Sequence, residues 1–140
     1  MVDVFTKAKR SEVMARIKGR NTIPERAVRS LLHRMGYRFR LHREGLPGRP
    51  DIVLPRFNAA IFVHGCFWHR HRGCRFAYVP KSRTDFWMQK FESNVTRDRR
   101  VRRDIERLGW NVVVVWECEL ALPEKLANRL DIILKQYGPS

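Results

Sequence analysis

The placement of three cysteines is the feature that most constrains this chain of 140 residues. Cys66 and Cys74 enclose a short segment, and Cys118 follows a run of valines much further along the chain. Two histidines, His69 and His71, lie within the enclosed segment. Three thiolates and one imidazole make up a closed tetrahedral set that structural zinc prefers. The sequence therefore predicts a zinc site that ties this loop to the end of a distant strand.

Either histidine of the loop can complete such a site. Ligation by His71 gives the spacing Cys-x4-His-x2-Cys and leaves His69 for another role. We therefore predict Cys66, His71, Cys74 and Cys118 as the zinc ligands. The alternative is three buried free thiols, because cysteine is also a common residue of protein cores. Disulfides explain the cysteines less well, because the first residues lack a hydrophobic secretory segment and a cytoplasmic protein is then expected.

The net charge of the chain indicates the chemical class of its binding partner. The sequence has 29 lysine and arginine residues against 14 acidic residues, which gives a formal net charge of +15. Such an excess repels itself unless an anion compensates it, and nucleic-acid phosphates are the expected anion. Basic residues are spread along the chain, which argues against a membrane surface. The arginine-rich stretch 97–107 is either a solvated helix face or a track for a phosphate backbone.

Hydrophobic periodicity predicts a mixed α/β fold with helices flanking a small sheet. We predict a basic N-terminal arm over residues 1–20 and one domain over residues 21–140. The predicted elements are a helix with a Thr22–Glu25 capping box, strands at 37–41, 51–54 and 59–64, a long helix from Ser82 or Thr84 to Leu108, a valine-rich strand at 110–116 and a last helix from Pro123. The four valines predict a central strand that is covered on both faces.

A second group of polar residues gathers at the predicted hairpin. Asp51 begins one strand and His64 ends its partner, while His69 follows a few residues later. A carboxylate at the mouth of a sheet is a suitable magnesium ligand, and imidazoles titrate near neutral pH. Together with Glu25, these groups would suffice for metal-assisted hydrolysis of a phosphodiester. Simpler roles stay open, because aspartate is common in turns and Glu25 also serves the capping box.

Two aromatic residues, Phe67 and Trp68, lie inside the predicted zinc loop. Side chains of this kind can insert as wedges between the base steps of DNA. They can equally pack beneath the loop as its own small core. We treat Trp87, Trp110 and Trp116 as core residues of the domain.

Several short stretches occur in this chain in a combination that one known family shares. They are Ser11–Met14, Asn21-Thr22, Pro24-Glu25, Arg49–Asp51, Phe62–His71, Phe86-Trp87, Asn94-Val95, Asp98–Arg100, Leu108–Trp110 and Val115–Cys118. Together they resemble the very short patch repair (Vsr) DNA mismatch endonucleases over nearly the whole chain. The resemblance implies a restriction-endonuclease-like fold with a structural zinc ion. It also implies a cytoplasmic bacterial enzyme that associates with the nucleoid when it is bound to DNA.

The resemblance implies a specific activity as well. Members of this family nick the thymine strand on the 5′ side of the thymine in a T:G mismatch. Such mismatches arise when 5-methylcytosine deaminates, and the nick initiates very short patch repair. The implied partners are double-stranded DNA and repair proteins that act downstream, the implied state is a monomer, and the implied cofactors are catalytic Mg²⁺ and structural Zn²⁺.

Individual residues acquire roles from the same resemblance. Asp51 and the main-chain carbonyl of Val63 would hold the magnesium ion, although the family often has threonine at the position of Val63. His69 would act as the general acid/base. His64 and Glu25 would support the phosphate and the attacking water.

The resemblance also implies roles for residues around the reacting groups and for residues that hold the DNA. Asn94 and Asp98 would hold metal-bound waters. Phe67, Trp68 and Met14 would form an intercalating wedge, and the N-terminal arm would clamp the DNA from the opposite groove. The rival hypotheses are a non-catalytic, zinc-stabilised module that binds DNA lesions and a restriction-like nuclease that cuts matched sites.

Overall fold

The computed structural model describes residues 22–41 and 45–138. The predicted N-terminal arm, including Met14, lies outside these residues. In chain order the elements are α1 (Ile23–Arg34), β1 (Arg40–Leu41), β2 (Ile52–Leu54), β3 (Ala59–His64), α2 (Thr84–Arg107), β4 (Asn111–Trp116) and α3 (Pro123–Tyr137), with 3₁₀ turns at Pro55–Phe57 and Glu117–Ala121. This arrangement confirms the predicted mixed α/β architecture. None of the helices in the described part of the chain is long and apolar enough to cross a membrane.

The sheet has the strand order β1-β2-β3-β4. β1 and β2 pair antiparallel, as do β2 and β3, whereas β3 and β4 run parallel. Ile61 lies opposite both Ile52 and Val113, which fixes the register across three strands. Among the described residues β4 is therefore an edge strand, and the prediction of a central position was wrong. The apolar run instead reflects helices packed on both faces of the strand.

Those helices lie in two layers. α1 and α3 cover one face of the sheet, where the buried core consists of Val28, Leu31, Leu32, Ile52, Leu54, Ala59, Ile61, Val113, Val115, Leu126, Leu130 and Leu134. α2 covers the other face, where Ile105 packs against Ala60 and Val112. Alternate valines of β4 thus face opposite layers, as expected for a strand with a side-chain period of two. The fold is a three-layer sandwich whose helices cover both faces of a short sheet.

The predicted boundaries hold where a local signal sets them. The Thr22 side chain caps α1, since its Oγ1 accepts a hydrogen bond from the Glu25 N–H at 3.2 Å. β1 is shorter than predicted, because Tyr37 does not join the sheet. The Tyr37 hydroxyl instead donates a hydrogen bond to Asp131 Oδ1 on α3 at 2.6 Å, and burial raises the pKa of Tyr37 to about 12. This contact fixes the segment after α1 to the last helix.

Candidate active site and metal centre

A pair of carboxylates meets where α1 approaches the start of β2. Asp51 immediately precedes β2, and its Oδ2 accepts a hydrogen bond from the Val63 N–H at 2.7 Å. Glu25, in the first turn of α1, is only 3% exposed and interacts with the Asp51 carboxyl group. The turn before Asp51 packs closely on α2, because a Cβ at Gly48 would collide with Val101. Glycine is therefore required there for Asp51 to reach its place.

The environment of Asp51 disfavours an isolated negative charge. Burial and then the charge of Glu25 raise the pKa of Asp51 to about 8, against the opposing effect of the Val63 N–H. Two interacting carboxylates, one buried and one half-buried, favour the uptake of a proton or of a cation. Oxygen ligands of this kind suit a hard divalent ion, so the residues fit the predicted magnesium site. The role of the Val63 carbonyl stays a prediction, since the amide is the group that contacts Asp51.

We expect Asp51→Asn to stabilise the protein in magnesium-free buffer, more at about pH 9 than at about pH 5. The pKa of the Asp51 carboxyl group in the folded protein, about 8, exceeds its ordinary value of 3.8. Below the ordinary value the group is protonated in both states and does not lower the free energy of unfolding. As the pH rises through about 8, the free energy of unfolding falls. The amide of the variant does not titrate, so it causes no such fall in the free energy of unfolding between these pH values. Thermal unfolding at both pH values measures the effect, with the exposed Glu92→Gln as control. Equal shifts at both pH values would contradict the assignment.

Two imidazoles line the same cleft as these carboxylates. The rings of His64 and His69 stack with their centroids 3.9 Å apart. His69 Nδ1 donates a hydrogen bond to Asp98 Oδ2 on α2 at 2.7 Å, which leaves Nε2 for proton transfer. Burial, and to a lesser extent the neighbouring His69, lowers the pKa of His64 to about 3. His64 therefore stays neutral near pH 7 and suits hydrogen bonding rather than proton exchange.

α2 also holds the loop that carries His69. Asn94 Nδ2 donates a hydrogen bond to the carbonyl oxygen of Trp68 at 3.1 Å. Asn94 and Asp98 lie one turn apart on α2, so neighbouring contacts fix Trp68 and His69 in succession. Both residues were predicted to hold metal-bound waters, which stays a prediction. The structure shows hydrogen bonds of both residues to the loop, and Asn94 Oδ1 also accepts one from Arg97 on α2 at 3.4 Å.

The predicted zinc ligands converge at the ends of β3 and β4. The ligand atoms of Cys66, His71, Cys74 and Cys118 all lie within 4.8 Å of one another, and His71 Nδ1 is 3.4 Å from Cys118 Sγ. Bond lengths to zinc imply separations of roughly 3.5–3.8 Å in a tetrahedral site, so the donor set fits this ion. The His71 ring also stacks on Trp116, with centroids 4.2 Å apart. The cluster can hold a metal ion, and its identity as zinc stays a prediction.

The two wedge candidates pack within an aromatic cluster of the free protein. The Phe67 ring contacts those of Trp68, Tyr78, Trp87 and Phe91 at centroid distances of 5.1, 5.1, 5.5 and 5.2 Å. Trp68 contacts Trp87 at 5.8 Å. Both side chains thus form the small core that we considered as the alternative, and intercalation stays a prediction. Trp87 is half-buried within this cluster rather than deep in the domain.

Arg70 is a structural residue that sequence reasoning missed. Its guanidinium group donates hydrogen bonds to the carbonyl oxygens of Phe67, Ala77 and Tyr78 at 3.2, 2.7 and 3.0 Å. The same group lies 3.8 Å from the ring centroid of Phe91 on α2. Arg70 therefore joins the cysteine-histidine loop to α2. Nothing in its spacing distinguishes it from an arginine that contacts phosphate.

We expect Arg70→Lys to lower the free energy of unfolding by about 2–4 kcal/mol, because one ammonium group cannot reach three carbonyls in the geometry of a planar fork. Urea denaturation measures the change. The matched control is Arg72→Lys, since Arg72 is exposed in the same loop. Equal stability of the two variants would show that the hydrogen bonds of Arg70 contribute little.

Carboxylates, imidazoles and cations line one open cleft of about 1190 Å³. Its acidic and histidine residues include Glu25, Asp51, His64, His69 and Asp98. Its basic residues are Arg49, Arg70, Arg72, Lys90, Arg97, Arg99 and Arg102. A cleft of this charge attracts polyanions, while its convergent titratable groups are those of a hydrolytic site.

Comparison with known proteins agrees with this chemistry. The family model for DNA mismatch endonuclease Vsr matches residues 2–75. Type II nicking enzyme V.XorIIP of Xanthomonas oryzae is 52% identical over 135 residues, which cover 94% of this chain and 98% of that protein. DNA mismatch endonuclease Vsr of Escherichia coli is 47% identical over 128 residues, which cover 91% of this chain and 81% of that protein. This chain therefore belongs to the family of the DNA mismatch endonuclease Vsr.

Proposed function

We propose that this protein nicks the thymine strand of duplex DNA on the 5′ side of the thymine in a T:G mismatch. The nick would initiate very short patch repair of deaminated 5-methylcytosine. One observation carries the hydrolytic part of the proposal: the half-buried Asp51 and the buried Glu25 lie in the same basic cleft as the His69–Asp98 pair. Membership of the Vsr family supports the choice of substrate.

Asp51, with Glu25 beside it, would hold magnesium. When bound there, magnesium would offset the charge that develops on the scissile phosphate. Oxygen donors and a pKa of Asp51 raised by burial support this choice of cofactor. A phosphodiester held there would lie in the cleft that the stacked imidazoles also line.

His69 would transfer the proton of the reaction. The hydrogen bond from its Nδ1 to Asp98 fixes the ring orientation and the tautomer, so that Nε2 accepts a proton from the attacking water or donates one to the leaving oxygen. Asp98 would stabilise the positively charged imidazole that forms. The neutral His64, stacked on His69, would orient the phosphate by hydrogen bonding.

Selectivity for the mismatch would come from unstacking. A mispaired step resists separation less than a matched one, so an aromatic wedge enters it at lower free energy. In the free protein Trp68 has fewer ring contacts than Phe67 and can leave the cluster with less loss. We propose Phe67, Trp68 and Met14 as the wedge, with Trp68 as the ring that moves furthest.

A nicking assay tests the proposal directly. End-labelled duplexes with one central T:G pair, in several flanking sequences, are incubated with the protein and magnesium beside their matched C:G counterparts. We expect a single nick 5′ of the thymine, on that strand alone. Cutting of matched duplexes would favour a restriction-like nuclease. Binding without cutting in every flanking sequence would favour the non-catalytic lesion-binding module.

A further inference from the structure

The outward side of α2 carries a second basic surface next to the candidate active site. A groove of about 410 Å³ is lined by Arg99, Arg102, Arg103, Glu106 and Arg107. We call its four arginines the arginine face. Arg99 and Arg102 also line the cleft that contains Asp51 and His69, so the two surfaces are continuous.

Within the described part of the chain, most of the positive charges of this face have no acidic partner. Arg102 Nε pairs with Glu106 Oε1 at 3.1 Å, with both side chains more than half exposed. Arg99, Arg103 and Arg107 form no ion pair within residues 22–41 and 45–138. A helix face that is merely solvated is usually laced with pairs of opposite charge, such as Arg102 with Glu106. Four arginines against one glutamate instead concentrate positive charge on one side of the helix.

The geometry of the face matches a nucleic-acid strand. From Arg99 to Arg107 the helix rises by roughly 12 Å, at about 1.5 Å per residue. One strand of duplex DNA presents a phosphate about every 3.4 Å along the helix axis, so the face spans roughly three or four phosphates. Arginine side chains are long and suit the bidentate recognition of phosphate. A backbone that leaves the catalytic cleft past Arg99 and Arg102 would therefore meet Arg103 and Arg107 next.

We propose that the arginine face binds backbone phosphates of the duplex on one flank of the site that is cut. This inference rests on the proposed function, because it takes duplex DNA as the ligand. Phosphates carry no sequence information directly. The face would therefore set affinity, salt dependence and the length of duplex that is bound, while the preference for T:G over a matched pair would be determined elsewhere.

Salt titration of binding tests this role. The double variant Arg103→Gln/Arg107→Gln is compared with Arg34→Gln/Lys125→Gln, which removes the same charge from exposed positions on α1 and α3. All proteins carry Asp51→Asn so that no DNA is cut. In the first variant we expect the slope of log K, the logarithm of the DNA-binding constant, against log salt to become less negative by about 1.8. This variant should therefore lose roughly tenfold less affinity than the parent protein between 50 and 200 mM salt. The control variant should change this slope far less.

Truncation of the duplex locates the contact. Base pairs are removed from one flank of the T:G pair at a time, and each duplex is bound to the parent protein and to the Arg103→Gln/Arg107→Gln variant. We expect shortening of one flank to weaken the parent and to leave the variant almost unaffected, with no such difference on the other flank. The ratio of affinities for T:G and matched duplexes should be the same in both proteins.

The results of these experiments distinguish a failure of this inference from a failure of the proposed function. Equal salt slopes for the two double variants, or equal losses on truncation of either flank, would overturn the arginine face as a phosphate site. Circular dichroism spectra that match the parent protein's would confirm that the variants are folded. Failure of the protein with Asp51 restored to nick T:G duplexes would contradict the proposed function alone, because phosphate binding is measured without cleavage.

Discussion

Asp51→Asn is expected to lower the rate of nicking at a T:G pair by about 10³-fold or more. The half-buried carboxylate of Asp51, beside the buried Glu25, is the group that we propose holds magnesium at the scissile phosphate. A bound metal ion contributes several kcal/mol to the stabilisation of developing charge, and about 1.4 kcal/mol corresponds to a factor of ten in rate. The amide keeps the shape of the side chain but provides a weak, uncharged ligand. Binding of mismatched DNA should change only a few-fold, because the basic lining of the cleft is intact.

Single-turnover kinetics with enzyme in excess over DNA measures this loss without interference from product release. The matched control is Glu92→Gln, an exposed carboxylate on α2 outside the cleft, which should cleave at the parent rate. Cleavage by Asp51→Asn within tenfold of the parent would remove Asp51 from the reaction. Loss of DNA binding together with cleavage would instead indicate that the substitution disturbs the fold.

Cys118→Ser is expected to abolish stoichiometric zinc binding and to lower the thermal midpoint by at least about 10 °C. Cys118 brings the end of β4 to the cysteine-histidine loop after β3, and its Sγ lies 3.4 Å from His71 Nδ1. The binding free energy of a structural metal is folding free energy, about 10–16 kcal/mol in isolated zinc modules. Loss of even a third of it exceeds what 10 °C requires in a domain of this size.

Elemental analysis of the purified protein and thermal unfolding measure the two effects together. Cys74→His serves as the conservative variant, because a set of two cysteines and two histidines also binds zinc. We expect it to retain one zinc ion and most of the stability. Full metal content and an unchanged midpoint in Cys118→Ser would show that Cys118 is not a ligand, whereas a parent protein that purifies without metal and takes up none would show that the cluster is three free thiols beside an imidazole.

Features with a local signal could be predicted from sequence. The Thr22 cap and the limits of β3 follow from short patterns, whereas the metal-ligand residue types and the spacing of Cys66, His71 and Cys74 predicted a cluster that the distant Cys118 completes. The apolar run at 112–115 correctly indicated coverage on both faces, yet its position at the edge of the described sheet was not predictable. Coverage depends on the side chains of the strand itself, whereas strand order depends on how distant segments pair.

The details of the candidate site depend on such distant packing. No sequence pattern predicts that Asp98 hydrogen-bonds to His69, because the contact depends on how α2 packs against the loop. No role for Arg70 was predicted, and its neighbours in space are three carbonyls and the Phe91 ring. Residue type predicted which groups would be present, and only the fold determines which of them meet.

Because β3 and β4 pair in parallel, binding of an ion by the cysteine-histidine cluster would affect folding kinetics. Parallel neighbours need a long crossover, here through α2, and the loop entropy of that crossover must be overcome before the strands pair. Cys66 and Cys118 lie just beyond the ends of these two strands, so a shared ion would close the same crossover. Chelation would then hold the strand ends together while the hydrogen bonds form. Assembly of the segment that contains His69 would in this way depend on the metal supply of the cell during synthesis.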